Sequence, residues 1–101
     1  MKNKYRLNDY KLIIDSNMFD ERWFRREYKL RKSDDAILYY LRYGRKLGLN
    51  PSPDFDNKWY ADTYDDVKRS GVDPFIHYIS FGKKEGRYPN QKACDLVNYE
   101  N

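Results

Sequence analysis

The large apolar residues of this chain recur at helical rather than alternating spacing, with polar and charged residues between them. At about 100° per residue, Trp23, Phe24, Tyr28 and Leu30 fall within one arc of roughly 160°. Arg22, Arg25, Arg26, Lys29 and Lys32 fill the opposite arc. The pattern predicts one amphipathic helix with an aromatic face and a basic face. Asp20 stands where its carboxylate can take an orphan N–H of the first turn. Asp35 predicts the start of a further helix, along which Ile37, Leu41, Gly44 and Gly48 align, flanked by Leu38 and Tyr40. Gly48 suits a left-handed stop closed by Leu49. Asn50-Pro51-Ser52-Pro53 cannot continue a helix. Ahead of these, Asn8 predicts the cap of a short lead-in helix over 8–17, with Asn17 as its left-handed end.

The same arrangement then returns. Phe19-Asp20-x-x-Trp23-Phe24-x-x-x-Tyr28 is repeated as Phe55-Asp56-x-x-Trp59-Tyr60-x-x-x-Tyr64. Asp35-Ala36-x-x-x-Tyr40-x-x-x-Gly44-x-x-x-Gly48-x-x-Pro51 is repeated as Asp73-Pro74-x-x-x-Tyr78-x-x-x-Gly82-x-x-x-Gly86-x-x-Pro89. The second copy predicts a helix from Asp56 carrying Trp59, Tyr60 and Tyr64, and a turn at Ser70-Gly71. Another helix starts at Asp73-Pro74, where Pro occupies the first helical position. Phe75, Ile76, Tyr78, Ile79 and Phe81 are its core candidates. A short turn of helix in the tail caps the last repeat. No alternating strand pattern bounded by hairpin turns is present.

The expectation is an all-α fold: one domain over 1–101, built of two tandem helix-turn-helix repeats and about five short helices. The lead-in helix covers 8–17, repeat one 18–53, repeat two 54–90 and the cap 91–101. Units duplicated at this length bury their apolar faces against neighbouring elements. Phe19, Trp23, Tyr28 and Tyr40, with Phe55, Trp59, Tyr64 and Tyr78, are the expected structural core.

Composition changes this picture in two ways. With 36% charged residues and a mean hydropathy of -1.11, the chain approaches disordered sequences, but its 18% aromatic content gives it rings enough for a core. The charge is also uneven. Residues 1–50 hold 13 Lys and Arg against 7 Asp and Glu, and residues 51–101 hold 7 against 9. A basic first half suits an anionic partner such as nucleic acid, an acidic glycan, a membrane surface or an acidic protein. The single Cys94 cannot form an internal disulfide. The polar start and the lack of a long apolar run lead us to expect a cytoplasmic or membrane-peripheral location without a transmembrane segment.

Residues 55–89 closely resemble a helical repeat that reads F-D-x-x-W-Y-x-x-x-Y-P-D-V-x-x-x-G-x-D-P-x-x-H-Y-x-x-x-G-x-x-E-G-R-x-P. It is carried here by Phe55, Asp56, Trp59, Tyr60, Tyr64, Asp66, Val67, Gly71, Asp73, Pro74, His77, Tyr78, Gly82, Glu85, Gly86, Arg87 and Pro89. Asp65 departs from it, standing where Pro is usual. The lead-in Tyr10-x-Leu12-Ile13-x-x-Ser16-x-Met18-Phe19-Asp20 extends the resemblance over residues 9–90. That repeat is found beside glycosyltransferase domains of bacterial and archaeal surface-polysaccharide proteins. The resemblance implies a small helical accessory module, not the sugar-transfer active site. Copy one departs further, with Ala36 for Pro, Tyr39 for His, Leu47 for Glu and Leu49 for Arg.

Candidate sites follow from what the two copies do not share. His77, Glu85 and Arg87 belong to copy two alone, and the basic arc of Arg22, Arg25, Arg26, Lys29 and Lys32 to copy one alone. The plain alternatives are a packing or capping His77 and a solvated basic face. A catalytic His needs an orienting acid and a nucleophile, and the pattern identifies neither. Asp54-x-Asp56-x-Lys58 fails as a calcium loop, because Lys58 and Trp59 stand where an oxygen ligand and Gly are needed. One Cys and one His cannot build a structural zinc site. The Gly-x-x-x-Gly pairs sit among Arg, Lys and Glu and do not suit a membrane helix. No nucleotide fingerprint appears, and no cofactor or metal is expected. The leading expectation is a non-enzymatic interaction module linked to surface-polysaccharide biosynthesis, with a protein of that assembly or a glycan as partner. The alternative is a nucleic-acid or anionic-surface binder using the basic face of residues 22–32.

Overall fold

The computed structural model describes the backbone of residues 2–99 and the side chains of residues 7–99. The outermost residues of the expected 1–101 domain and of the 91–101 cap lie outside the described residues. The chain is helical, with no strand among the described residues. It divides into two compact units, Met1–Pro53 and Asp54–Asn101.

In the first unit, α1 (Lys2–Ser16) and α2 (Glu21–Glu27) pack on α3 (Ala36–Leu47). α1 begins well before the expected lead-in helix, so Asn8 lies inside it and caps nothing. Residues 2–8 contain no Gly or Pro to stop the helix, and an Asn preference for caps matters only where a helix begins. Asn17 does end it, with φ 57.

Asp20 caps α2 by accepting the Trp23 N–H at 2.9 Å. α2 then closes early. Lys29 takes the left-handed conformation (φ 53), and the Leu30 N–H reaches back to the Arg25 carbonyl at 3.0 Å, as in a Schellman stop. The expected single helical face from Arg22 to Lys32 is therefore corrected: Lys29 and Lys32 lie beyond the helix. Asp35 caps α3 through the N–H groups of Ile37 and Leu38, and Gly48 (φ 68) ends it.

The second unit contains α4 (Asn57–Thr63), α5 (Asp65–Ser70), α6 (Pro74–His77), a π-helical turn (Tyr78–Gly82) and α7 (Gln91–Tyr99). Asp56 caps α4 and Asp73 caps α6, each through its side chain. Tyr64 is extended (φ -107, ψ 95) and separates α4 from α5. The described residues thus form seven α-helices and a π turn rather than about five helices. One added helix, α5, lies where copy two is two residues longer.

Equivalent hydrogen bonds recur inside each unit. The Asn50 N–H donates to the Tyr28 hydroxyl at 2.9 Å, and the Tyr88 N–H donates to the Tyr64 hydroxyl at 2.9 Å. The Asp20 N–H reaches the Pro51 carbonyl at 3.0 Å, and the Asp56 N–H reaches the Pro89 carbonyl at 3.1 Å. These bonds tie the first capped helix to the chain leaving the unit, so Phe, Asp, Tyr and Pro recur together for a structural reason.

The rings pack in the same order. Phe24 lies against Phe19, Tyr28 and Tyr40, and Tyr60 lies against Phe55, Tyr64 and Tyr78. Phe24 and Tyr60 are fully buried, as are Tyr40 and Phe55. Trp23 and Trp59 are only half-buried, which corrects their expected place at the centre of the core. Adjacent residues on a helix differ by about 100°, so Phe24 and Tyr60 face inward while each Trp lies over the flank. Phe19, Tyr28 and Tyr64 are also half-buried, and Phe81, expected inside, is 61% exposed.

Candidate functional site

His77, Glu85 and Arg87, spread over the end of copy two, are drawn into one polar network around Tyr60. The buried Tyr60 hydroxyl and His77 Nδ1 share a hydrogen bond of 2.9 Å. Burial pushes the Tyr60 hydroxyl up to about 12, opposed by the positive charge of Arg87. Arg87 forms a two-pronged pair with Asp66, at 2.9 and 3.0 Å, and its Nε lies 3.0 Å from Glu85. Its guanidinium also sits 4.7 Å from the centre of the Tyr64 ring, within cation–π range. The hydrogen bond from Arg87 holds the Asp66 carboxyl below its ordinary value.

Backbone geometry admits this network. A Cβ added at Gly82 would overlap the Tyr60 hydroxyl, so only Gly fits against that oxygen. The backbone is also widened there: the Lys83 N–H bonds to the Tyr78 carbonyl five residues back, at 2.8 Å. Copy one has Phe24 where copy two has Tyr60, and α3 runs through the matching stretch as regular α-helix.

The same region of copy one is closed without charge. Tyr39 stands in the place of His77 and packs edge-on against Phe24 at 6.2 Å. Leu49, in the place of Arg87, is buried.

The five basic candidates separate. Arg25 is engaged internally: it pairs with Glu21 at 2.9 Å and donates to the carbonyls of Arg31, at 3.3 Å, and Asp34, at 2.6 Å. It holds the loop between α2 and α3. Arg22, Arg26, Lys29 and Lys32 are exposed. They lie on α2 and the loop after it, and so do not form the continuous helical stripe that their spacing predicted.

Sequence reasoning missed a surface pocket of about 300 Å³ at the start of α3. Arg31, Ser33, Asp34, Asp35, Leu38, Tyr39, Arg42 and Tyr43 line it. The rings of Tyr39 and Tyr43, one helical turn apart, lie 4.8 Å centre to centre. Asp35 is committed to the helix cap and to the Tyr10 hydroxyl, which donates to it at 2.7 Å. Asp34 is held by the backbone N–H and side chain of Arg31, which lower its pKa. The available signal was Tyr39 at the place that His77 holds in copy two, with a second Tyr four residues on.

Among the described residues, no group of three or more His, Cys, Asp or Glu side chains could hold a metal ion. No described helix is long and apolar enough to cross a membrane. The chain matches no protein family, no curated protein and no solved structure in comparisons with each.

Proposed function

We propose that the chain is a non-enzymatic interaction module of two helix-turn-helix repeats, serving a surface-polysaccharide assembly from a cytoplasmic or membrane-peripheral position. The observation that carries the reading is the use of the motif residues in unit two. His77 bonds to Tyr60, and Arg87 bonds to Asp66 and Glu85, so the polar signature that resembles the glycosyltransferase-associated repeat serves to hold a scaffold together. A scaffold of this kind leaves recognition to surface residues that differ between copies. The partner is then a protein of that assembly or the glycan itself.

Affinity capture with the full chain, read against proteins and glycans of a polysaccharide pathway, tests the reading. Specific recovery of such a protein, or binding on a glycan array, is the expected result. Recovery of neither overturns it. Salt-sensitive binding to DNA or RNA that is lost in an Arg22→Ala, Arg26→Ala double variant would instead favour an anionic-surface binder.

A further inference from the structure

We infer that the pocket at the start of α3 is a binding site for an acidic sugar residue of a glycan, with its carboxylate on Arg42 and its ring against Tyr43. The inference rests on the interaction-module reading and assigns that module a ligand class.

The chemistry follows from which groups are already committed. Asp34 and Asp35, the two acids of the pocket, are satisfied within the unit by Arg31, Tyr10 and the N–H groups of α3. Arg42 is exposed and finds no carboxylate partner among the described residues. The Arg31 side chain spans both oxygens of Asp34, at 3.4 and 3.5 Å, and is 83% exposed. The exposed Ser33 hydroxyl adds a further polar group. The pocket thus offers a ligand the Arg42 guanidinium and the Ser33 hydroxyl, while Arg31 occupies the acid beside it. Guanidinium groups favour carboxylates, which they can meet through two parallel hydrogen bonds.

The aromatic pair supplies the second half of the fit. Tyr39 is anchored against Phe24, and Tyr43 extends from it into solvent at 39% exposure. Such a ring presents a flat apolar face that suits the C–H face of a pyranose, while its hydroxyl remains free to bond. At about 300 Å³ the pocket is at the small end of the ligand-site range of roughly 300–1,000 Å³, a size for one ring rather than a chain. A nucleic-acid strand would instead need a track of cations along its backbone. In copy two, His77, Phe81 and Ser80 stand in the places of Tyr39, Tyr43 and Arg42, and His77 is turned to the Tyr60 hydroxyl. The site therefore belongs to unit one.

The test is an NMR titration of the full 15N-labelled chain with a short oligogalacturonate, its methyl ester and a single-stranded RNA. Saturable shifts confined to residues 31–43 are expected with the free acid. Tyr43→Ala and Arg42→Gln should each weaken binding about tenfold, as should esterification of the carboxylate. Both positions are exposed, so the variants should keep the wild-type spectrum elsewhere. Shifts that fall outside residues 31–43, equal binding by the variants, or tighter binding of RNA in the same pocket would overturn the inference. If oligogalacturonate does not bind while affinity capture still recovers a polysaccharide-pathway protein, the pocket inference alone falls. If both experiments are negative, the module reading falls with it.

Discussion

The two units solve one packing problem with different chemistry. Unit one seats Phe24 among rings, lays Tyr39 against its edge and closes the end with buried Leu49. Unit two seats Tyr60 in its own, equivalent ring cluster and must then satisfy its hydroxyl. His77 accepts that task, Gly82 leaves room for the oxygen, and Arg87, Asp66 and Glu85 complete the polar closure. One oxygen atom on a buried ring thus accounts for much of the difference between the copies, because a buried hydroxyl without a partner is costly. It follows that the most recognisable residues of the repeat need not be its binding residues.

Removing the buried ring should have the largest effect in either unit. Phe24→Ala and Tyr60→Ala are each expected to cost about 3–5 kcal/mol by chemical denaturation, since both leave a cavity at the centre of a ring cluster. Equal costs would support the equivalence of the two seats. A cost near zero at one of them would break it.

Gly82→Ala should follow, at about 1–3 kcal/mol, because the added methyl overlaps the Tyr60 hydroxyl. Combining it with Tyr60→Phe removes the clashing oxygen and should recover part of that loss. A double-mutant cycle without coupling would show that the oxygen does not set the need for Gly82.

Trp59→Ala should cost less, about 1–2 kcal/mol, because the ring is half-buried and its N–H is satisfied by Gln91 at 2.6 Å. A loss as large as that of Tyr60→Ala would place Trp59 in the core after all.

The smallest effects appear in pH dependence and should distinguish the units. Tyr60 is raised from 10.0 to about 12 by burial, so its contribution to stability is present below pH 10 and lost as pH rises toward 12. Tyr60→Phe should flatten that alkaline decline in thermal melts. Asp66 is lowered from 3.8 by the Arg87 hydrogen bond, so its contribution is present above pH 3.8 and lost as pH falls below it. Asp66→Asn should blunt the acid decline. An unchanged profile in either variant would remove that group from the balance.

The helix starts were legible because a capping carboxylate is a local signal. Asp20, Asp35, Asp56 and Asp73 all cap the helices that their positions predicted. The left-handed ends at Asn17 and Gly48 were legible for the same reason. The start of α1 was not, since an internal Asn and a capping Asn look alike in sequence. Nor was the inward choice of Phe24 over Trp23, because both lie on one apolar arc and tertiary packing selects between them.

The basic face illustrates a different limit. Helical spacing placed Arg25 among its neighbours, but Lys29 turned the chain and the Arg25 guanidinium closed on carbonyls of the following loop. The pocket was hidden because it needs a loop and a helix face to meet. Arg31 and Ser33 come from one, and Tyr39, Arg42 and Tyr43 from the other.

The claim that the copies are two closures of one scaffold is tested most directly by giving unit two the residues of unit one. The variant Tyr60→Phe, His77→Tyr, Glu85→Leu, Arg87→Leu should retain its helical circular dichroism and a cooperative denaturation transition, displaced by no more than about 2–3 kcal/mol. Loss of that transition, or of the helical signal, would show that the polar network of unit two is not interchangeable with the apolar closure of unit one.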